Sequence, residues 1–258
     1  MRRHADIDGL PVSWLEAPCE GTPILYVHGV PDSAELWTPF LELTGGIAVD
    51  LPGFGASGKP AQWPYSPGGY ARFLAAFLDA LGVDRVRLVA HDWGAVALSL
   101  GARIVRLVSL DVVPMLPGHR LPWIARVWRT PVLGELAMGF TGRTLLRRLG
   151  GLSTGHADQV LRHFDHGTQR AILKLYRSDR DATTPLDAVT APALVLWGER
   201  DRYVEPAWAE RVAGALGGQA EVEIVRGAGH WPWLDRPDVV RRVAHFLSLS
   251  AGQPAHGR

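Results

Sequence analysis

The sequence of 258 residues contains a single cysteine, Cys19, so it cannot form an intramolecular disulfide. That scarcity of cysteine is typical of proteins in a reducing compartment. The sequence also lacks any stretch near the roughly 18 uninterrupted apolar residues that a membrane-spanning helix needs. Residues 1–18 lack the apolar segment of a signal peptide. We therefore expect a cytoplasmic protein with no membrane partner.

An excess of charge of either sign is also missing. Lysine and arginine number 27 against 26 aspartates and glutamates, which gives a formal net charge of +1. Nucleic-acid-binding proteins usually carry a strong basic excess, so we expect no nucleic-acid partner. The composition is 47% hydrophobic, which is sufficient for one large buried core in a monomer or homodimer.

Short apolar runs alternate with amphipathic segments through most of the chain. The runs predict strands at residues 12–17, 24–27, 47–50, 86–90, 106–111, 193–198 and 221–225, the first of them as an antiparallel edge strand. Most are continuously apolar, which is expected of strands covered on both faces. The segments between them predict helices over residues 70–81, 92–102, 206–216 and 237–249. This alternation predicts an α/β fold with a mostly parallel, eight-stranded sheet flanked by helices.

The alternation stops between residues 115 and 186, in a segment rich in arginine and tryptophan and interrupted by proline and glycine. It is too long for a structureless loop in a compact domain, so we interpret it as a helical insertion over the strand ends. The predicted organisation is a core domain of residues 1–114 and 187–258 and a helical cap domain of residues 115–186.

The most informative motif is His91-Asp92-Trp93-Gly94-Ala95, which follows an apolar strand and precedes a helix. A tight strand-to-helix turn needs small residues around its tip, and Ala90 and Gly94 meet that need. Such a turn exposes the tip side chain at a helix N-terminus, where an anion is stabilised. The tip is Asp92, so the motif predicts a carboxylate nucleophile, whereas a serine esterase would carry a hydroxyl there. The alternative is that Asp92 is only a helix cap.

A second motif, His28-Gly29-Val30-Pro31, follows the predicted strand 24–27. The backbone N–H groups of Val30 and Trp93 could point at one position and form an oxyanion hole.

Two later motifs add an acid and a base. Asp201 follows the predicted strand 193–198, and His230 lies in a glycine-rich loop after the last strand. The order nucleophile, acid, histidine is the one that α/β-hydrolase enzymes use. Asp201 would accept the Nδ1 proton of His230, and His230 would act as a base toward water. Asp111, which ends another strand, is the alternative acid.

Together the segments HGVP, VDLPGFGASGKP, HDWGA, WGERD and GAGHWPW resemble the α/β-hydrolase superfamily, and within it the epoxide hydrolase and haloalkane dehalogenase branch. The resemblance spans nearly the whole chain outside the insertion, which lies where that branch carries its cap domain. It implies a displacement at saturated carbon that leaves an alkyl ester on Asp92, followed by hydrolysis with water activated by His230.

The resemblance favours epoxide opening to a vicinal diol, because Tyr176 matches the cap tyrosine that protonates the epoxide oxygen in that branch. Haloalkane dehalogenation is the second hypothesis, with the Trp93 indole and Trp123 or Trp128 as halide donors. A non-catalytic ligand-binding protein on the same fold is the third.

We expect a substrate pocket formed by His28, Trp93, Trp123, Trp128 and Trp231, which binds a small hydrophobic substrate and water. The histidines of the insertion lack convincing metal-ligand spacing, and we interpret His119, His156, His163 and His166 as solvated. No dinucleotide or phosphate-binding motif is present. We therefore expect neither a metal nor a cofactor.

Overall fold

The computed structural model describes residues 1–178 and 185–249. Within these residues the core is one eight-stranded sheet. Its strands are β1 (Arg2–Ile7), β2 (Leu10–Ala17), β3 (Ile24–Val27), β4 (Gly46–Val49), β5 (Val86–His91), β6 (Ile104–Leu110), β7 (Ala193–Gly198) and β8 (Ala220–Val225).

The strands lie in the order β1-β2-β4-β3-β5-β6-β7-β8. β1 and β2 pair antiparallel, as do β2 and β4, and every later pair is parallel. Strands β3, β4 and β7 are buried at every position. The predicted mostly parallel, eight-stranded sheet is confirmed.

The prediction that residues 12–17 form an edge strand is wrong, because β1 covers the outer side of β2. β1 was not predicted because four of its six side chains are exposed and polar or small, so it shows no apolar run. Its Arg2 nevertheless has a structural role. It donates to the buried carboxylate of Asp50 at 2.7 Å, which ties the edge of the sheet to the loop after β4.

Helices flank the sheet on both sides and also form the insertion. In the core they are α1 (Thr38–Thr44), α2 (Pro67–Ala80), α8 (Trp208–Ala215), α9 (Pro232–Asp235) and α10 (Asp238–Ser248), with 3-10 helices at Ala34–Trp37 and Leu186–Ala188. The elbow helix after β5 (Asp92–Arg103) is also a 3-10 helix, with a break at Gly101.

The insertion folds as five helices, α3 (Trp123–Arg129), α4 (Leu133–Gly139), α5 (Arg143–Arg148), α6 (Thr154–Leu161) and α7 (His166–Arg177). They contact the core through apolar packing and through ion pairs such as the one between Lys59 and Asp165, whose Nζ and Oδ2 lie 2.8 Å apart. Residues 179–184 of the predicted cap and 250–258 of the predicted core lie outside the described residues. None of the described helices has the length and apolar character to cross a membrane.

Two apolar clusters pack on the two faces of the sheet. One of them contains an aromatic group that supports the loop before α9. Trp37 and Trp233 stack there with ring centroids 5.3 Å apart, and Phe40 packs edge-on against both rings. Because α9 begins two residues after His230, this group fixes the end of the loop that carries that histidine.

Replacing Trp37 with alanine removes a fully buried ring from this group. We expect Trp37→Ala to lower the free energy of unfolding by about 3–5 kcal/mol, because the lost packing leaves a cavity. Urea denaturation of the variant and the parent protein measures the difference. Leu43→Ala on α1 is the control, since Leu43 is 53% exposed, and its loss should stay within about 0.5 kcal/mol. Equal losses in both variants would contradict the packing argument.

Candidate active site

Asp92 occupies the tip of the turn between β5 and the elbow helix. Its φ is +50°, a left-handed conformation that is unusual for a residue with a side chain. The turn is tight enough that a Cβ built on Gly94 would lie 2.3 Å from the backbone oxygen of Val27. Glycine is therefore required at position 94, as the motif predicts. The turn places the Asp92 carboxylate at the carboxyl ends of the parallel strands.

The carboxylate of Asp92 is enclosed by the loop after β3. The backbone N–H of Val30 donates to its Oδ2 at 2.8 Å, while its Oδ1 lies 3.7 Å from Nε2 of His230. A Cβ on Gly29 would lie 2.3 Å from Oδ2, so the close approach of the loop depends on glycine. Asp92 is only 5% exposed. The side chain is therefore held between a backbone donor and an imidazole.

His230 bridges two carboxylates. Its Nδ1 lies 2.8 Å from Oδ2 of Asp201, opposite the side that faces Asp92. The other oxygen of Asp201 accepts the N–H groups of Tyr203 at 2.7 Å and Val204 at 3.2 Å, so this carboxylate is fixed in orientation. Burial disfavours the imidazolium, but Asp201 and Asp92 outweigh it and raise the pKa of His230 well above its usual value. Burial of Asp201 is likewise outweighed by His230, which lowers the pKa of that carboxyl.

Asp111 lies next to this pair but does not bind His230 directly. It is fully buried, and its Oδ1 accepts the backbone N–H of Gly198 at 2.8 Å. Burial and the neighbouring charge of Asp201 raise its pKa well above the usual value. Burial and the Asp201 charge thus both favour the protonated form of Asp111. The direct hydrogen bond from His230 goes to Asp201, in line with the predicted choice of acid.

Asp111, Asp201 and His230 also offer the donor types of a metal site, since one ligand atom from each lies within 4.8 Å of the others. Their bonding pattern differs from that of a metal site. Nδ1 of His230 is engaged with Asp201, and burial raises the pKa of Asp111, which works against the deprotonated form that metal binding needs. The arrangement is that of a hydrogen-bonded acid and base.

A cavity of about 500 Å³ lies between this group and the cap. Its buried end contains Asp92, His230 and Tyr176, and most of its wall is apolar. The ring of Tyr176 packs edge-on against Trp93 and Trp128, with centroids 5.3 and 4.8 Å away. The structure thus brings the predicted cap tyrosine into the same cavity as the predicted nucleophile.

Of the predicted pocket residues, Trp123, Trp128 and Trp231 line the cavity, whereas His28 and Trp93 do not. His28 is fully buried behind the loop. Its Nε2 accepts the N–H of Leu51 at 3.1 Å, so its Nδ1 carries the hydrogen and donates to Gly29 O at 2.8 Å. Its ring is therefore structural. Trp93 is buried behind Tyr176, and its ring packs against the Tyr176 ring.

Asp32 is a residue of the site that the sequence did not reveal. Its buried carboxylate lies 2.6 Å from Nε2 of His156 in α6 and accepts the indole N–H of Trp231 at 2.9 Å. Burial of Asp32 disfavours its charge, but His156 and Trp231 outweigh it and lower its pKa. The interpretation of His156 as solvated is wrong, since it is 5% exposed.

His91, which directly precedes Asp92, supports the loop that carries His230. Its Nε2 donates to the backbone oxygen of His230 at 2.8 Å. Burial, with the nearby His230, lowers the pKa of His91 to about 4, so it is neutral at neutral pH. The only hint in the sequence is its position beside Asp92.

Comparison with known proteins gives matches over nearly the entire chain. The family described as "Alpha/beta hydrolase family" matches residues 24–243. A haloalkane dehalogenase of Bradyrhizobium diazoefficiens is 29% identical over 95% of this chain and 94% of its own length. Epoxide hydrolase A of Mycobacterium tuberculosis is 25% identical over 95% of this chain and 97% of its own length.

Among solved structures, the haloalkane dehalogenase DbeA from Bradyrhizobium elkani superposes with a TM-score of 0.79 at 25% identity, covering 96% of this chain and 97% of that one. These matches confirm the resemblance that the motifs predict.

The partner of His230 can be tested by titration. We expect Asp201→Asn to lower the pKa of His230, because it removes a charge that stabilises the imidazolium. Asp111→Asn should change that pKa much less, since Asp111 makes its hydrogen bond with the Gly198 N–H and not with His230. NMR titration of the His230 imidazole in both variants measures this, with Asp238→Asn as a control in an exposed acid that pairs with Arg236. An equal decrease in the Asp111 and Asp201 variants would overturn the assignment.

Proposed function

Because the chain belongs to the alpha/beta hydrolase family, we propose that it is a hydrolase that opens epoxides to vicinal diols through an ester on Asp92. The observation that carries the proposal is the elbow carboxylate itself, placed in one cavity with His230 and Tyr176. A carboxylate can displace at a saturated carbon, a reaction that suits a strained ring.

In the first step an oxygen of Asp92 attacks a ring carbon of the epoxide. A carbon–oxygen bond to Asp92 forms as the ring carbon–oxygen bond breaks, and the ring oxygen takes the phenolic proton of Tyr176. Trp93 and Trp128 pack against the Tyr176 ring and hold it in the cavity. The product of this step is a hydroxyalkyl ester on Asp92.

In the second step His230 removes a proton from water, and the hydroxide oxygen attacks the carbonyl carbon of the ester. Asp201 stabilises the imidazolium that results. The N–H of Val30 already donates to an oxygen of Asp92, and in the proposed mechanism it stabilises the tetrahedral oxyanion together with the N–H of Trp93. When the intermediate collapses, the bond between the ester carbon and the diol oxygen breaks, and that oxygen takes the proton of the new carboxylic acid, so that Asp92 is again a carboxylate. The proton held by His230 returns to the Tyr176 phenolate through solvent, which restores both side chains.

The charges around His230 couple the two steps. Asp92 and Asp201 both raise the pKa of His230 while Asp92 is an anion. Esterification makes Asp92 neutral and removes one of these two charges, so the pKa of His230 falls. After the ester has formed, a larger fraction of the imidazole is therefore neutral and able to accept a proton from water.

Haloalkane dehalogenation is the second candidate, through the same ester. It is favoured by Trp128, which lines the cavity beside Tyr176 and could direct an indole N–H at a halide. Epoxide opening ranks first because the phenol of Tyr176 can supply a proton to the leaving oxygen, which a halide does not need. A non-catalytic binder ranks third, because it has no need of a nucleophile, acid and base in contact. In each case the apolar cavity indicates a small hydrophobic ligand.

A product assay distinguishes the three candidates. We expect the protein to convert terminal and aryl epoxides to diols without releasing halide from bromo- and chloroalkanes. Asp92→Asn should reduce turnover by roughly 10⁴-fold or more, because the nucleophile is lost, while ligand binding persists in a fluorescence titration. Halide release without diol would support the second candidate. Binding without turnover by the parent protein would support the third.

The role of Tyr176 has its own test. We expect Tyr176→Phe to lower kcat for epoxides by roughly 10²-fold, the scale of general acid catalysis, with little change in stability because the ring is retained. Tyr65→Phe is a matched control, since Tyr65 donates its hydroxyl to Pro60 O and does not line the cavity. Unchanged kcat in Tyr176→Phe would remove the phenol from the mechanism.

A further inference from the structure

The cavity has a buried end and an exposed end with different chemistry. Asp92, His230 and Tyr176 are each about 5–6% exposed and define the buried end. The lining residues Trp123 and Leu149 are 59% and 50% exposed and therefore mark the mouth. A ligand that reaches the nucleophile and fills the cavity thus has its other end at this mouth.

Two arginines line the cavity at its mouth, and they come from different parts of the chain. Arg148 is the last residue of α5, and Arg202 follows Asp201 after β7. Both arginines are exposed to solvent. Nη1 of Arg202 donates to Leu149 O at 3.3 Å, and a Cβ on Gly151 would lie 3.3 Å from its Cζ. Arg202 is therefore held against the segment that directly follows Arg148.

No acid in the described part of the chain forms an ion pair with either of these two arginines. Glu135 pairs with Arg177, and Asp158 pairs with Arg143. The mouth is therefore cationic, although the protein as a whole is nearly neutral.

Two hydroxyl groups of the wall are already hydrogen-bonded within the protein. Thr141 donates its hydroxyl to Ala137 O at 2.9 Å, and Tyr203 donates its hydroxyl to Gly150 O at 2.8 Å. Guanidinium groups retain several donors when one is used, and they bind carboxylates with charge-assisted hydrogen bonds. The cavity thus offers an apolar body with two cationic groups at its outer end.

We propose that Arg148 and Arg202 form a subsite for the carboxylate of an amphiphilic substrate, whose apolar chain fills the cavity and places the reacting carbon at Asp92. The substrate class is then an apolar acid with its reactive group remote from the carboxylate. The placement of the reacting carbon at Asp92 rests on the proposed function, whereas carboxylate binding by the two arginines does not depend on turnover.

The test uses ligands that cannot react. Decanoate and 1-decanol, below the concentration at which either aggregates, are compared by calorimetric titration of the full-length protein. We expect decanoate to bind more tightly, and the difference to decrease with added salt because the arginines are exposed. Arg148→Gln and Arg202→Gln should each weaken decanoate binding by roughly two- to fivefold, and the double variant by about tenfold. Binding of 1-decanol should not change.

Arg147→Gln and Arg200→Gln are the matched controls, because each is an exposed arginine that does not line the cavity. Arg147 directly precedes Arg148, and Arg200 lies two residues before Arg202. Equal binding of acid and alcohol, or equal losses in the control variants, would overturn the subsite. Epoxide turnover without preference for the acid would leave the proposed function intact and reject this inference. Preference for decanoate in a protein that turns over neither epoxides nor haloalkanes would support the subsite while the proposed function fails.

Discussion

A buried carboxylate on a strained turn is the constraint to which the rest of the site is adapted. Asp92 has a left-handed backbone and is almost inaccessible to solvent, so both its conformation and its charge need compensation. Gly94 permits the close contact with β3 that makes the turn, and Gly29 permits the loop that brings the Val30 N–H to the carboxylate. The sheet provides the rigid frame, because β3 and β5 are adjacent parallel strands that end at the same edge.

The carboxyl groups near Asp92 are arranged around His230. Asp201 and Asp92 lie on opposite sides of the imidazole, and both raise the pKa of His230. Burial and the neighbouring charge of Asp201 raise the pKa of Asp111. Asp111 accepts a hydrogen bond from the Gly198 N–H, whereas Asp201 is hydrogen-bonded to His230. The two neighbouring acids therefore differ both in their hydrogen-bond partner and in the direction in which their pKa values shift.

The sequence predicts those parts of the site that depend on strand order. Asp92, Asp201 and His230 each follow a strand, and parallel strands bring their carboxyl ends together, so local patterns were sufficient. The contact between Asp32 and His156 spans 124 residues and joins core to cap, which no local pattern encodes. His28 also follows a strand, yet its ring turns inward to Leu51 instead of toward the cavity. Backbone position was predictable, but side-chain direction at a loop was not.

In the proposed mechanism, the sheet and the helical insertion make separable contributions. The residues around the sheet would supply the carboxylate, the Val30 donor, the base and its acid, all of which an alkyl ester needs whatever group departs. The insertion would supply Tyr176 and Trp128, which differ in what they can offer a leaving group, a phenolic proton or an indole N–H. Relatives named for dehalogenation and for epoxide hydrolysis match this chain at 29% and 25% identity over nearly the same length. Because both proposed reactions use the same ester, the choice between them would depend on a few side chains over the cavity.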